Sequence, residues 1–137
     1  METYSVKLEK IFYSSRKNIL DMFRNNTVFR LTSADKVEND FRTGGAFDLK
    51  FSDRGRVFGK FIKISDDEII INWNVEGFDL PKETGTVIKF TITEENEKCI
   101  LKLEHINIVN KESAEAKKEG WTEILDDMEK ELSTGKK

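Results

Sequence analysis

The stretch that decides the fold is Gly120-Trp121-Thr122-Glu123-Ile124-Leu125-Asp126-Asp127-Met128, close to the end of the chain. Apolar residues recur there at spacings of three and four, with Asp, Glu and Lys between them. The apolar positions are Trp121, Ile124, Leu125, Met128 and Leu132. Such a stripe is typical of a helix that packs on one side, and it predicts a helix from about Ser113 to Leu132.

Gly120 stands inside this predicted helix, directly before the largest side chain. A glycine in a helix interior costs roughly 1 kcal/mol relative to alanine, so a packing reason is expected. We expect Gly120 to let the helix approach a neighbouring element, while Trp121 reaches into the concave face of a sheet.

The chain before this helix has the alternating pattern of strands. Tyr4 to Phe12 predicts a half-buried strand, and Ser14-Ser15 offers an N-cap for a short helix from Arg16 to Arg24. A second short helix holds Val28, Phe29 and Leu31, and strand patterns separated by short turns then run from Lys36 to Asn107. The predicted order is one strand, two short helices, six strands and a long helix, which is an α+β fold with an antiparallel sheet.

Turn residues divide the predicted strands. Gly44-Gly45 predicts a hairpin, and Gly77 to Glu83, which contains the single proline Pro81, is the longest irregular stretch between strands. Phe78 and Leu80 make that stretch amphipathic enough to form a lip. Ser133 to Lys137 is expected to be a flexible tail.

Composition limits the classes of function. The 137 residues predict one domain over residues 1–137. Charged residues make up 36% of the chain with a net charge of -3, and the interleaved signs argue against nucleic-acid binding. No apolar run approaches the length of a membrane span, so no transmembrane segment is predicted. The N-terminus lacks a signal peptide, and the single cysteine, Cys99, cannot form an intrachain disulfide, so a cytoplasmic location is expected.

His105, the only histidine, is the first candidate for acid-base chemistry because alternation places it on the face of Leu101 and Leu103. A catalytic site would need a second titratable group, and Glu104 and Asp48 are predicted to point to the other face. A histidine in this position is more often a hydrogen-bonded structural residue. We therefore predict no catalytic residue.

One cysteine and one histidine cannot supply a zinc site without carboxylates, so no metal ligand and no cofactor is predicted. Cys99 is expected to be a buried small hydrophobe.

Aromatic and aliphatic residues on the inward faces of the strands and the long helix have two interpretations. They could line a ligand cavity, or they could fill a dry core. The predicted lining is Phe47, Leu49, Ile71, Trp73, Ile88, Phe90, Leu101, Leu103, His105, Trp121 and Leu125.

The motifs resemble those of the heat-shock protein 90 ATPase activator-like family, and they occur in the same order. The resemblance covers Phe41-Arg42-Thr43-Gly44-Gly45-Ala46-Phe47, Gly59, Ile69 to Trp73, Gly85-Thr86 to Phe90, Leu101 to His105, and Gly120-Trp121 with Ile124-Leu125. That family belongs to the START-like superfamily, also called birch-pollen-allergen-like or SRPBCC. The resemblance implies a helix-grip fold, in which a curved antiparallel sheet wraps the C-terminal helix and leaves an apolar cavity.

Three functions remain open from the sequence. The first is a non-enzymatic domain that binds a small hydrophobic ligand, such as a lipid, polyketide or aromatic metabolite, with His105 and Asn107 orienting it. The second, implied by the resemblance, is an interaction module with a chaperone partner and a role in stress response, although co-chaperone members carry an additional N-terminal domain. The third is a cyclase-like or hydrolase-like enzyme, which requires His105 to face an open cavity.

Overall fold

The computed structural model describes residues 3–134 and has the predicted order of elements. They are β1 (Tyr4–Phe12), α1 (Arg16–Arg24), α2 (Thr27–Arg30), β2 (Lys36–Asn39), β3 (Ala46–Phe51), β4 (Gly55–Ile64), β5 (Glu68–Gly77), β6 (Leu80–Glu95), β7 (Lys98–Ile108) and α3 (Lys111–Thr134). The bounds of β1 and α1 are those expected from the sequence.

The strands form one antiparallel sheet in the order β1-β7-β6-β5-β4-β3-β2. Because β1 and β2 lie at opposite edges, α1 and α2 carry the chain across from one edge to the other. The strand register shifts in β4 between Phe61 and Lys63 and in β5 between Trp73 and Val75. Shifts of this kind bend strands, which suits a sheet that curves around its helices.

The core lies on one face of this sheet, beneath all three helices. The Phe23 ring of α1 lies 4.9 Å from that of Phe90, and the Phe29 ring of α2 lies 5.6 Å from that of Phe47. Trp121 of α3 also contacts Phe90, with ring centroids 5.7 Å apart. The helix-grip fold predicted from the sequence is therefore confirmed.

Local sequence signals explain two of the connections. The Ser15 hydroxyl accepts the backbone N–H of Asn18 at 3.1 Å, which confirms the predicted N-cap of α1. Gly44 has φ of +86°, and a Cβ on Gly45 would lie 2.0 Å from the Asp40 carbonyl oxygen. The β2–β3 hairpin therefore requires both glycines.

The β5–β6 connection is shorter than the sequence indicated. Only Phe78 and Asp79 separate the strands, with φ of +59° and +57°, and Pro81 lies inside β6. The Phe78 ring packs 5.2 Å from that of Phe51 and lies against Gly55, where a Cβ would come within 2.7 Å of it. The expected irregular lip is thus a two-residue turn, and the missing side chain of Gly55 on β4 leaves room for the Phe78 ring.

The long helix extends beyond its predicted bounds at both ends. It begins at Lys111 and includes Ser133 and Thr134, two residues of the expected tail, whereas residues 135–137 of that tail lie outside the described residues. No helix within residues 3–134 is long and apolar enough to span a membrane.

Gly120 does not have the role predicted for it. A Cβ built at this position would meet no atom within 4 Å, so the glycine mediates no close approach to another element. The expectation was wrong because the helix touches the sheet through Trp121, one residue further round its surface. Gly120 instead leaves open space beside that contact.

Alanine substitution should have opposite effects on stability at Gly120, which has open space beside it, and at Gly59, which packs against a neighbouring strand. Gly120→Ala should raise the free energy of unfolding by roughly 0.5–1 kcal/mol, since it removes a helix penalty without a clash. Gly59→Ala is the matched control, because its Cβ would lie 1.8 Å from the Asn72 carbonyl oxygen, and it should lower stability by roughly 1–3 kcal/mol. Urea unfolding of both variants measures this, and a destabilised Gly120→Ala would contradict the assignment.

Candidate functional site

All eleven residues predicted to line a cavity lie in the buried core. Those from the sheet share its inner face, and Trp121 and Leu125 face them from α3. Their rings touch: Trp73 lies 5.2 Å from Trp121 and 5.6 Å from Phe47 between ring centroids. The structure therefore brings the predicted residues together in the packed core, and the five with rings, Phe47, Trp73, Phe90, His105 and Trp121, form an aromatic cluster within it.

A chain of hydrogen bonds runs through this cluster from the helix to the sheet. The indole Nε1–H of Trp121 donates to His105 Nδ1 at 3.3 Å, and His105 Nε2 lies 3.0 Å from the Thr86 hydroxyl. That hydroxyl donates to the Trp73 carbonyl. Because an indole nitrogen can only donate, the proton of His105 must lie on Nε2, and every member of the chain is satisfied.

The environment of His105 keeps its ring neutral. The pKa of His105 is lowered to about 3, chiefly by burial and also by the positive charge of Lys117, while Glu83 acts in the opposite direction. The ring is fully buried and both nitrogens are bonded. His105 does not face an open cavity, so the requirement of the enzyme hypothesis is not met.

Asn107 is not placed to orient a ligand in the core. It is exposed on β7 with φ of +64°, and its amide lies 3.4 Å from the Gly85 carbonyl. Cys99 is fully buried on the same strand, as predicted, and burial raises the pKa of its thiol. Within residues 3–134, no three side chains of His, Cys, Asp or Glu converge to hold a metal ion.

A groove of about 550 Å³ opens at the edge of the aromatic cluster, between α3 and the segment that follows α2. It is lined by Leu31, Thr32, Ser33, Trp73, Lys117, Gly120, Trp121, Glu123, Ile124, Asp126, Asp127 and Lys130. Trp73 and Trp121 belong to both the core and the groove. The open space beside Gly120 is part of this groove, which connects the aromatic pair to solvent.

An ion pair borders the groove where α3 begins. Lys117 Nζ lies 2.6 Å from Glu83 Oε1, and both side chains are largely buried. Glu83 Oε1 also accepts the Ser113 hydroxyl at 3.0 Å, and its Oε2 accepts the Val109 N–H at 2.9 Å. Burial alone raises the pKa of Glu83, but Lys117, Val109 and Ser113 outweigh it and hold that pKa below its usual value.

Sequence reasoning missed the residues that are specific to the groove. Thr86, which lies outside the groove, alternates with Ile88 and Phe90 and so faces inward, but alternation does not reveal its hydrogen bonds to His105 and Trp73. Lys117 lies four residues before Trp121 and so shares its side of the helix, which was a usable signal. The Leu31–Ser33 segment gave no signal, because only the tertiary fold brings it beside α3.

The curved sheet, the three helices on its inner face and the long C-terminal helix define a START-like, helix-grip protein. The family model for Activator of Hsp90 ATPase homolog 1-like protein matches residues 15–133. The chain belongs to that family, as its sequence motifs indicated.

Solved structures share the fold along nearly the whole chain. PFC0360w, an HSP90 activator from Plasmodium falciparum, is 25% identical, with a TM-score of 0.77 over 97% of this chain and 99% of that one. Protein MLL2253 from Mesorhizobium loti is 14% identical, with a TM-score of 0.85 over 98% and 100%. DynU16, encoded in the dynemicin biosynthetic locus, is 15% identical, with a TM-score of 0.78 over 96% of this chain and 48% of that one. No curated protein matches the chain in sequence.

Because His105 is the only histidine, a change in stability between pH 7 and 5 can be assigned to it. His105 has a pKa of about 3 in the folded protein and about 6.5 when unfolded, so below pH 6.5 the unfolded chain binds a proton that the folded protein does not. The free energy of unfolding should therefore decrease as the pH is lowered, by roughly 2 kcal/mol between pH 7 and 5. The decrease that is due to His105 should end near pH 3.

Urea unfolding at several pH values measures this loss, and His105→Gln is the control. The variant starts from a lower stability because it disturbs the hydrogen-bond chain, but it should lose the pH dependence between pH 7 and 5. The same slope in both proteins would show that His105 is not the responsible group.

Proposed function

We propose that this protein binds a small hydrophobic compound, with an aromatic ring system as the preferred chemistry, in the groove beside α3 and without catalysing a reaction on it. The observation that carries the proposal is the position of Trp73 and Trp121, which join the core to an open groove of about 550 Å³. Its volume lies within the roughly 300–1,000 Å³ that is usual for ligand pockets, and Leu31, Ile124 and the two tryptophans form its apolar wall, beside charged residues of α3. Small hydrophobic compounds of this kind include lipids, polyketides and aromatic metabolites.

The packing of the core favours a ligand site at the groove over a site among all eleven predicted lining residues. Most of those side chains contact one another in the interior, and Phe47, Leu49 and Ile71 are almost completely buried. A ligand at their centre would have to displace well-packed rings. At the groove it would contact the outer edges of the two tryptophans and enter the space left by Gly120.

Blocking this space tests the proposal. Gly120→Leu should fill the groove and weaken binding of 1-indanone, an aromatic probe, at least tenfold, while the fold is kept because Leu is a good helix former. Thr122→Leu is the matched control, since Thr122 is an exposed residue of α3 outside the groove. Binding is measured from the NMR shifts of the tryptophan indole N–H groups. No shift in the parent protein, or equal affinity in both variants, would refute the proposal.

A second candidate function is stimulation of the Hsp90 chaperone, with a corresponding role in stress response. It is favoured by the HSP90 activator PFC0360w, whose solved chain is matched over 99% of its length. The match covers that solved chain almost completely, so this candidate function is drawn from the part that the two chains share.

The chaperone candidate predicts that adding this protein to purified Hsp90 raises the rate of ATP hydrolysis above the basal rate. Hsp90 inhibited at its nucleotide site is the control for contaminating ATPase. An unchanged rate over a range of protein concentrations, together with no complex in a pull-down, would eliminate this candidate.

A further inference from the structure

Lys117 is the polar group of the groove that is best placed to recognise a ligand. Its side chain lines the groove and is 14% exposed. The ammonium donates to Glu83 Oε1 at 2.6 Å and to the Ser113 hydroxyl at 2.9 Å. An ammonium has three N–H donors, and within residues 3–134 the third has no hydrogen-bond acceptor.

This donor is held in a fixed position before any ligand arrives. Glu83 is itself 8% exposed, and its second oxygen is bonded to the Val109 N–H. The carboxylate is therefore anchored to the backbone, and it anchors the lysine in turn. A donor that is already immobilised loses little side-chain entropy on binding, so its hydrogen bond contributes more to affinity.

The charges around the groove restrict the ligand further. Glu83 already balances Lys117, and the groove wall carries three carboxylates, from Glu123, Asp126 and Asp127, against one further cation, Lys130, which lies 3.9 Å from Asp127. An anionic ligand would approach those carboxylates without gaining an unbalanced positive charge. A cationic ligand would meet the ammonium of Lys117 at the aromatic end. An uncharged acceptor avoids both penalties.

We propose that the ligand of this groove is an uncharged aromatic compound carrying an acceptor oxygen, such as a ketone or quinone carbonyl, which accepts the third N–H of Lys117. This rests on the proposed binding function and specifies its ligand class. The ring system lies against Trp73 and Trp121, and the oxygen points towards the beginning of α3.

Two compounds with the same bicyclic skeleton test the role of the oxygen. 1-Indanone carries a carbonyl, whereas indane does not, and both are titrated while the indole N–H shifts are recorded. The parent protein should bind 1-indanone roughly tenfold more tightly than indane, as expected for a hydrogen bond to a charged donor. Indane-1-carboxylate, which adds a negative charge, should bind more weakly than 1-indanone.

Variants at Lys117 test whether this residue causes the preference for 1-indanone over indane. Lys117→Met should bring the ratio of the two affinities close to one and leave the affinity for indane within about twofold, because the methylene stem is kept. Lys118→Met is the matched control, since Lys118 is exposed and outside the groove, and it should keep the full ratio. The double variant Glu83→Gln with Lys117→Met removes both charges and replaces the single variant if an unpaired Glu83 prevents folding.

The outcomes separate this inference from the proposed function. Equal binding of indane and 1-indanone by the parent protein, or an unchanged ratio in Lys117→Met, would overturn the ligand class and leave the groove as a binding site. Tighter binding of the carboxylate would also overturn it. If none of the three compounds shifts the indole signals, both proposals fail.

Discussion

The hydrogen-bond chain Trp121–His105–Thr86–Trp73 is the interaction on which the rest of the structure depends. It crosses the interface between helix and sheet inside an otherwise apolar core, where an unpaired polar group would cost roughly 1–3 kcal/mol. Each donor has one acceptor, so the chain is satisfied in one arrangement only. A helix shifted by one turn would keep most of its apolar contacts but would leave His105 Nδ1 without its donor. The chain therefore fixes the position of α3 along the sheet more strictly than hydrophobic packing could.

The Glu83–Lys117 pair is a second connection of the same kind, one helical turn before Trp121. It joins β6 to the first half of α3, while Lys10 on β1 contacts Asp126 and Glu129 on the second half. Buried pairs contribute modestly to net stability, because desolvation offsets attraction. The effect of the Glu83–Lys117 pair and of the more exposed Lys10 pairs is positional, and the groove-lining residues Gly120, Trp121 and Ile124 lie between the two connections.

Much of this fold could be predicted from the sequence, because the sheet is buried on one face. Alternation then specifies which residues point inward, so the bounds of β1 and the inward placement of His105 followed directly. The turn at Phe78 was missed because a residue with positive φ is usually Gly or Asn, and here the space beside Gly55 stabilises a phenylalanine. Gly120 was misread because sequence shows that a side chain is absent but not whether the vacated space is filled.

The candidate site was less predictable for a related reason. The same aromatic residues can line a cavity or fill a core, and the outcome depends on volumes contributed by distant segments. Phe23 and Phe29, from the two short helices, occupy the concave surface and close the centre. The edge stays open because the residues that meet there, Thr32, Ser33 and Gly120, are too small to fill it. The groove therefore lies where the apolar core gives way to polar side chains, and this is why an anchored lysine can border two tryptophans.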